Sequence, residues 1–145
     1  MKQNRFWRVA IPVCIALWTE FIWSQSLLPG KVSGAESGFV TRLLAGLLGL
    51  ETVPVWMHTL VRKAAHFTGF AILGTLWGGC RRLYPLRLTW LYGAAVGAVD
   101  ECLQFIQPDR GPAVTDVMID TAGYLCGWAL VLLVARLCTR KGATS

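Results

Sequence analysis

The sequence predicts an all-α fold: a polytopic membrane bundle of four transmembrane helices plus a short interfacial, amphipathic helix. Three observations predict it. First, 54% of the 145 residues are hydrophobic and only 15% are charged, against roughly 25% charged in a soluble domain; the mean hydropathy is +0.51. Second, four apolar runs approach the ~20 residues a helix needs to cross hydrocarbon. Third, seven Trp and fifteen Gly suit a bilayer, where Gly is commoner within helices and Trp gathers at the interfaces. A chain of this length reads as a single domain, 1–145.

The first span is expected at about 9–28, "VAIPVCIALWTEFIWSQSLL". Its basic start and the "SGA" at Ser33–Ala35 also fit a cleaved leader, but the length of the run and Glu20 inside it favour an uncleaved helix. "KVSGAES" then reads as a loop. Over about 38–50, Phe39, Val40, Leu43, Leu44, Leu47 and Leu48 recur at helical spacing, a one-sided stripe too short to span. That segment is expected to lie in the interface, to fold over the bundle, or to act as a plain connector. The second span is expected at about 61–83 and the third at about 88–107, stopped by Pro108, which cannot continue helical hydrogen bonding. The fourth is expected at about 114–137. Short linkers make consecutive spans antiparallel.

Basic residues orient the bundle. Lys2, Arg5, Arg8, Arg81, Arg82, Arg87, Arg136, Arg140 and Lys141 fall on one side, and Lys31, Arg42, Arg62, Lys63 and Arg110 on the other. Nine against five places both termini in the cytoplasm. The net charge of +6 raises the possibility of a nucleic-acid binder, but the cations flank apolar runs and form no aromatic-interleaved patch, so no nucleic-acid partner is expected. Cys14, Cys80, Cys102, Cys126 and Cys138 include no CxxC pair and read as small apolar packing residues.

The exception to this apolar pattern is "VDECLQFIQPDRGPAVTDVMID" at 99–120, with five acids, two glutamines and an arginine. Asp100 lies about 12 Å before Pro108 along a helix axis, His66 about one turn inside the second span, Asp116 at the mouth of the fourth with Asp120 one turn deeper, and Glu20 in the outer half of the first. The inner halves carry no ionisable group beyond Tyr92 and the cysteines. One polar cavity open to the outer face is therefore expected, above a dry lower half. A lone charge at mid-membrane costs roughly 2.5–3.5 kcal/mol, so these groups must pair or share water. Lys63 and His66 lie on one helical face, as do Asp100 with Gln104 and Asp116 with Asp120. Gly74/Gly78, Gly93/Gly97 and Gly123/Gly127 each make a GxxxG, which permits close backbone approach and is expected below the polar tier.

"RKAAHFTGF" and "DECLQFIQPDRGPAVTDVMIDTAGYLCG" together resemble the VanZ-like family of small bacterial membrane proteins. The resemblance rests on Lys63, His66, Phe67, Asp100, Glu101, Gln104, Arg110, Asp116, Asp120, Gly123 and Gly127. One position departs from the family pattern: Asp120 stands where Asn is common, adding an acid that is expected to be protonated or to pair with Lys63 or Arg110. The resemblance implies a multi-pass protein of the bacterial cytoplasmic (inner) membrane with a cell-envelope role. Through the family's founding member, it also implies an effect on susceptibility to the glycopeptide teicoplanin.

Three classes of function are open. In the first, a pocket facing outward binds or modifies a lipid-linked envelope precursor, a phospholipid or a lipophilic glycopeptide. His66 with Asp100 or Glu101 would be the acid/base pair, and Lys63, Gln104, Arg110, Asp116 and Asp120 would hold the ligand, with Arg62 beside Lys63 and Arg110 to grip a phosphate or carboxylate. No hydrolase motif is present, Ser24 has no nucleophile elbow, and no metal or organic cofactor is expected. In the second class, His and acids relay protons in transport. In the third, the protein is a non-enzymatic accessory whose stripe at 39–48 docks a partner and whose charges only fix helix register.

Overall fold

The computed structural model describes residues 2–80, 89–108, 111 and 113–141. Among these the chain forms five α-helices and no strand: α1 (Lys2–Ser26), α2 (Gly30–Leu47), α3 (Val55–Cys80), α4 (Thr89–Phe105) and α5 (Val114–Lys141). Arg81, Arg82, Leu83, Arg87, Asp109 and Arg110 lie outside the described residues.

The all-α expectation is met, with two corrections to element bounds. "KVSGAES" is not a loop but the first half of α2. Pro29 sits just before the helix with φ −53°, and its carbonyl accepts from Val32 N at 2.9 Å and Ser33 N at 3.2 Å. The hydroxyls of the segment bond within the helix: Ser37 Oγ donates to Ser33 O at 3.0 Å and Thr41 Oγ1 to Ser37 O at 2.6 Å. Gly30 N reaches Pro108 O at 3.3 Å, tying the α1–α2 turn to the end of α4. α2 stops at Gly49, whose φ of +69° only glycine adopts freely. Leu50 N then bonds Ala45 O and Gly49 N bonds Gly46 O, the paired arrangement of a Schellman stop. The second correction is α3, which starts at Val55 rather than 61 because Pro54 opens it and accepts from Met57 N at 3.0 Å. This brings His58 and Thr59 onto the helix. α4 ends ahead of Pro108, as the sequence predicts.

α3 is the hub, touching α1, α2, α4 and α5, and its seam with α5 is the most extensive. Lys63 meets Asp116, and deeper in, His66 meets Asp120. Further along, Gly123 faces Phe67, Gly127 faces Ala71 and Gly78 faces Val131. The residue numbers rise together, so α3 and α5 run parallel. The glycines make this seam possible: a Cβ on Gly74 would strike the Tyr124 carbonyl, and one on Gly127 the Ala71 carbonyl. Gly93 and Gly97 of α4 fit against the Tyr124 ring and against Asp120. The glycine stripe therefore reaches up into the polar tier rather than stopping below it.

Burial mixes apolar and polar groups. Ile15, Ile22, Phe70, Leu73, Val96 and Tyr124 form an apolar core, and Asp100, Asp120, Gln104 and Thr41 are fully buried as well, while Val55, Val114 and Leu47 are 88%, 80% and 76% exposed. Large apolar surfaces facing outward suit a hydrocarbon surround. α2 repeats the pattern: it buries Thr41 and Ala45, while Phe39, Val40, Leu43, Leu44, Leu47 and Leu48 face outward. Two helices among the described residues, over Phe6–Ser26 and Val114–Thr139, are long and apolar enough to cross a membrane. α3 carries Arg62 and Lys63, and α4 has 17 residues including Asp100 and Glu101.

The seam yields a prediction. Gly127→Ala and Gly74→Ala each force two backbones apart and should destabilise the fold by ~1–3 kcal/mol. Gly69→Ala, where a Cβ meets nothing within 4 Å, should be neutral or slightly stabilising. Unfolding midpoints of the purified variants in detergent check this; equal midpoints for all three would contradict the packing described.

Candidate functional site

Four helix ends converge on one polar region. α1 supplies its last residue, Ser26. Its buried stripe, Ile15, Thr19, Ile22 and Ser26, follows the 3.6-residue period. Glu20 is exposed and lies outside the site, a correction to the expectation that it shares the polar tier. Six residues from Glu20 to Ser26 turn a helix by ~600°, which puts the two on different faces.

Asp100 sits within a hydrogen-bonded set. It is 0% exposed. Ser26 Oγ donates to its Oδ1 at 2.6 Å, and Gln104 Nε2 donates to its Oδ2 at 2.9 Å. Arg62 Nη2 donates to Gln104 Oε1 at 3.3 Å, which fixes the amide with its nitrogen toward Asp100. Gln104 thus links the Arg62 cation on α3 to the Asp100 carboxylate on α4. The i,i+4 pairing of Asp100 with Gln104 is as the sequence predicts.

α3 and α5 add two rungs. Near the mouth, Lys63 Nζ donates to Asp116 Oδ1 at 3.0 Å, with the two side chains 39% and 16% exposed. Below it, His66 Nδ1 lies 3.3 Å from Asp120 Oδ1 and 4.0 Å from Asp100 Oδ2. Asp120 therefore faces His66, and of the two cations expected as its partners, Lys63 is taken by Asp116 and Arg110 lies outside the described residues. Lys63 sits one turn nearer the mouth and is already held by Asp116. His66, Asp100 and Asp120 each offer one donor atom within 4.8 Å of the others, so they could hold a metal ion. The nearest acid to His66 is Asp120, which the sequence placed among the ligand-holding residues.

Glu101 has a different position. Its Oε2 accepts from Ala113 N at 2.8 Å, and its buried Oε1 has no hydrogen-bond partner among the described residues. Ala113 O in turn accepts from Asp116 N at 2.8 Å. Glu101 thus secures the turn into α5. Arg110 lies outside the described residues.

A cavity of about 240 Å³ opens over this region. Its walls include His58, Arg62, Lys63 and His66 from α3 and Thr115 and Asp116 from α5. The lining carries two cations and two imidazoles against one carboxylate; Lys63 is held by Asp116, and Asp100 and Asp120 lie behind His66. The volume is small beside the ~300–1,000 Å³ of drug-sized sites and suits a phosphate or a compact headgroup. His58, with Nε2 3.2 Å from Gly34 O, and Ser26 are the residues the sequence reading missed. Ser26 carries a legible signal, a hydroxyl on the buried period of an apolar helix. His58 does not, because the start of α3 was placed after it.

The family model described as VanZ/LLP1 matches residues 10–135 of the chain. No curated protein and no solved structure matches it.

Ser26→Ala removes a donor from a fully buried carboxylate. It should destabilise the protein by ~1–3 kcal/mol, seen as a lower unfolding midpoint in detergent. Glu20→Gln, on the exposed face, should leave the midpoint within the scatter of the wild type. A neutral Ser26→Ala would show that the Asp100 network does not stabilise the fold.

Proposed function

The chain belongs to the VanZ/LLP1 family, and on that premise we propose that it takes the anionic, phosphate-bearing headgroup of a lipid-linked cell-envelope molecule into its polar pocket. The observation that carries the reading is the cavity itself: about 240 Å³, flanked by Arg62, Lys63, His58 and His66 at one end of an otherwise apolar bundle. In this reading α1, α3, α4 and α5 cross the bacterial cytoplasmic membrane and α2 lies against them with its Leu stripe in lipid. Both termini are cytoplasmic and the pocket opens outward at headgroup depth.

Arg62 and Lys63 supply charge-assisted hydrogen bonds to phosphoryl oxygens, and Arg110, outside the described residues, is a third candidate cation for that group. His66, at the pocket floor and backed by Asp100 and Asp120, is the group placed to exchange a proton with the ligand. The pocket is far too small for a whole glycopeptide. An effect on teicoplanin susceptibility would then arise through the lipid-linked ligand rather than through capture of the drug. A non-enzymatic accessory role is the second reading, favoured by the exposed stripe of α2, which a partner helix could cover as well as lipid does.

Retention of undecaprenyl phosphate by the purified protein, followed by native mass spectrometry, tests the proposal. Arg62→Met and Lys63→Met should each weaken retention ~10–100-fold, since a charged hydrogen bond contributes ~1.5–3 kcal/mol. Unchanged retention would overturn the headgroup reading. In a sensitised host at matched membrane levels, His66→Ala and Asp100→Asn should abolish any shift in teicoplanin susceptibility that the wild type confers. Variants acting like the wild type would detach the pocket from that phenotype.

A further inference from the structure

We propose that His66, Asp100 and Asp120 form a divalent-metal site at the floor of the pocket, taking a first-row ion of the Zn²⁺ type. The three residues come from α3, α4 and α5, and their donor atoms lie within 4.8 Å of one another. An ion ~2.1 Å from each nitrogen or oxygen donor sets tetrahedral neighbours about 3.4 Å apart. The His66 Nδ1–Asp120 Oδ1 separation of 3.3 Å already meets this. The 4.0 Å to Asp100 Oδ2 needs a movement of a few tenths of an ångström by each partner.

A second observation points to a cation independently of the clustering. Asp120 is 0% exposed, yet among the described residues neither of its oxygens accepts a hydrogen bond, including Oδ1, which faces His66 Nδ1 at 3.3 Å. Gly97, which faces Asp120, brings no side chain to donate. A buried carboxylate oxygen without a donor is among the costliest arrangements in a protein interior, and His66 offers only one ring nitrogen to two carboxylates. A divalent ion answers all three donors at once.

The surroundings also suit a metal. Ligating carboxylates are normally oriented by outer hydrogen bonds, and Asp100 accepts from Ser26 and from Gln104, the latter fixed by Arg62. One imidazole with two carboxylates matches borderline ions such as Zn²⁺ better than Ca²⁺, which prefers an all-oxygen shell. Three protein ligands leave a fourth position open. His66 belongs both to the cluster and to the pocket lining, so a water or a phosphoryl oxygen enters that position from the pocket. The site goes beyond the headgroup reading and does not require it.

The test uses untagged full-length protein in detergent, stripped with chelator and then offered Mg²⁺, Mn²⁺, Co²⁺ and Zn²⁺ in turn. Bound metal is counted by mass spectrometry, and the unfolding midpoint is followed with and without metal. The wild type should retain about one ion per chain with Zn²⁺ or Co²⁺ and unfold at a higher temperature when loaded, since a ligand of the native state stabilises it. Asp120→Asn, which keeps the side-chain shape, and His66→Ala should each lose at least ~10-fold in affinity and lose the midpoint shift. Lys63→Met should load metal like the wild type while binding undecaprenyl phosphate less well, so failure of the metal site and failure of the headgroup reading give different results. Two outcomes overturn the site: a wild type that retains no ion after loading, or Asp120→Asn and His66→Ala that retain it as the wild type does.

Discussion

The rest of the structure depends on one constraint: a charge placed among apolar helices must be answered from a neighbouring helix. Asp100 cannot be left alone, and its partners define the bundle. Ser26 brings α1 to it, Arg62 brings α3 through Gln104, and the nearby His66 and Asp120 bring in α5. Lys63–Asp116 repeats the solution at the mouth. Removing one partner of such a buried set is costly because the other charge stays behind. The charges therefore fix which helices meet and in what register, in addition to whatever they do to a ligand.

Glycine makes that network reachable. Polar groups on α3 and α5 meet only because Gly74, Gly123 and Gly127 let the two backbones touch. Gly97 leaves the space that Asp120 fills. Small-residue packing, which drives helix association where lipid is as apolar as the side chains, and polar pairing are in this chain parts of one interface. Tyr124 joins them, its ring against Gly93 and its hydroxyl donating to Thr89 O at 2.5 Å.

Much of this was legible in the residues. Composition and run length pointed to apolar helices, and Pro108 marked the end of α4. The i,i+4 spacing of Asp100 and Gln104 foretold their hydrogen bond, and the spacing of Lys63 and His66 foretold their shared face. What failed had physical reasons. "KVSGAES" looked like a loop because Ser and Gly compete with helix formation, but Ser33 and Ser37 take part in hydroxyl-to-carbonyl bonds within α2. Glu20 was assigned by depth alone, and only its angle around α1 excludes it. The partner of Asp120 could not be chosen between helices from one sequence, because the relative heights of α3 and α5 set it. The apolar stripe of α2 has the expected period, but it faces outward, and the buried face is Thr41 and Ala45.

The proposed function requires that the pocket open to the outside of the cell. The direct measurement places a single cysteine on its rim, as Thr115→Cys in a background with the five native cysteines replaced, and treats intact cells with a membrane-impermeant maleimide. The account predicts labelling in intact cells, blocked by prior treatment with a second impermeant thiol reagent. Labelling that appears only in inverted vesicles or after the cells are opened would place the pocket on the cytoplasmic face and contradict it.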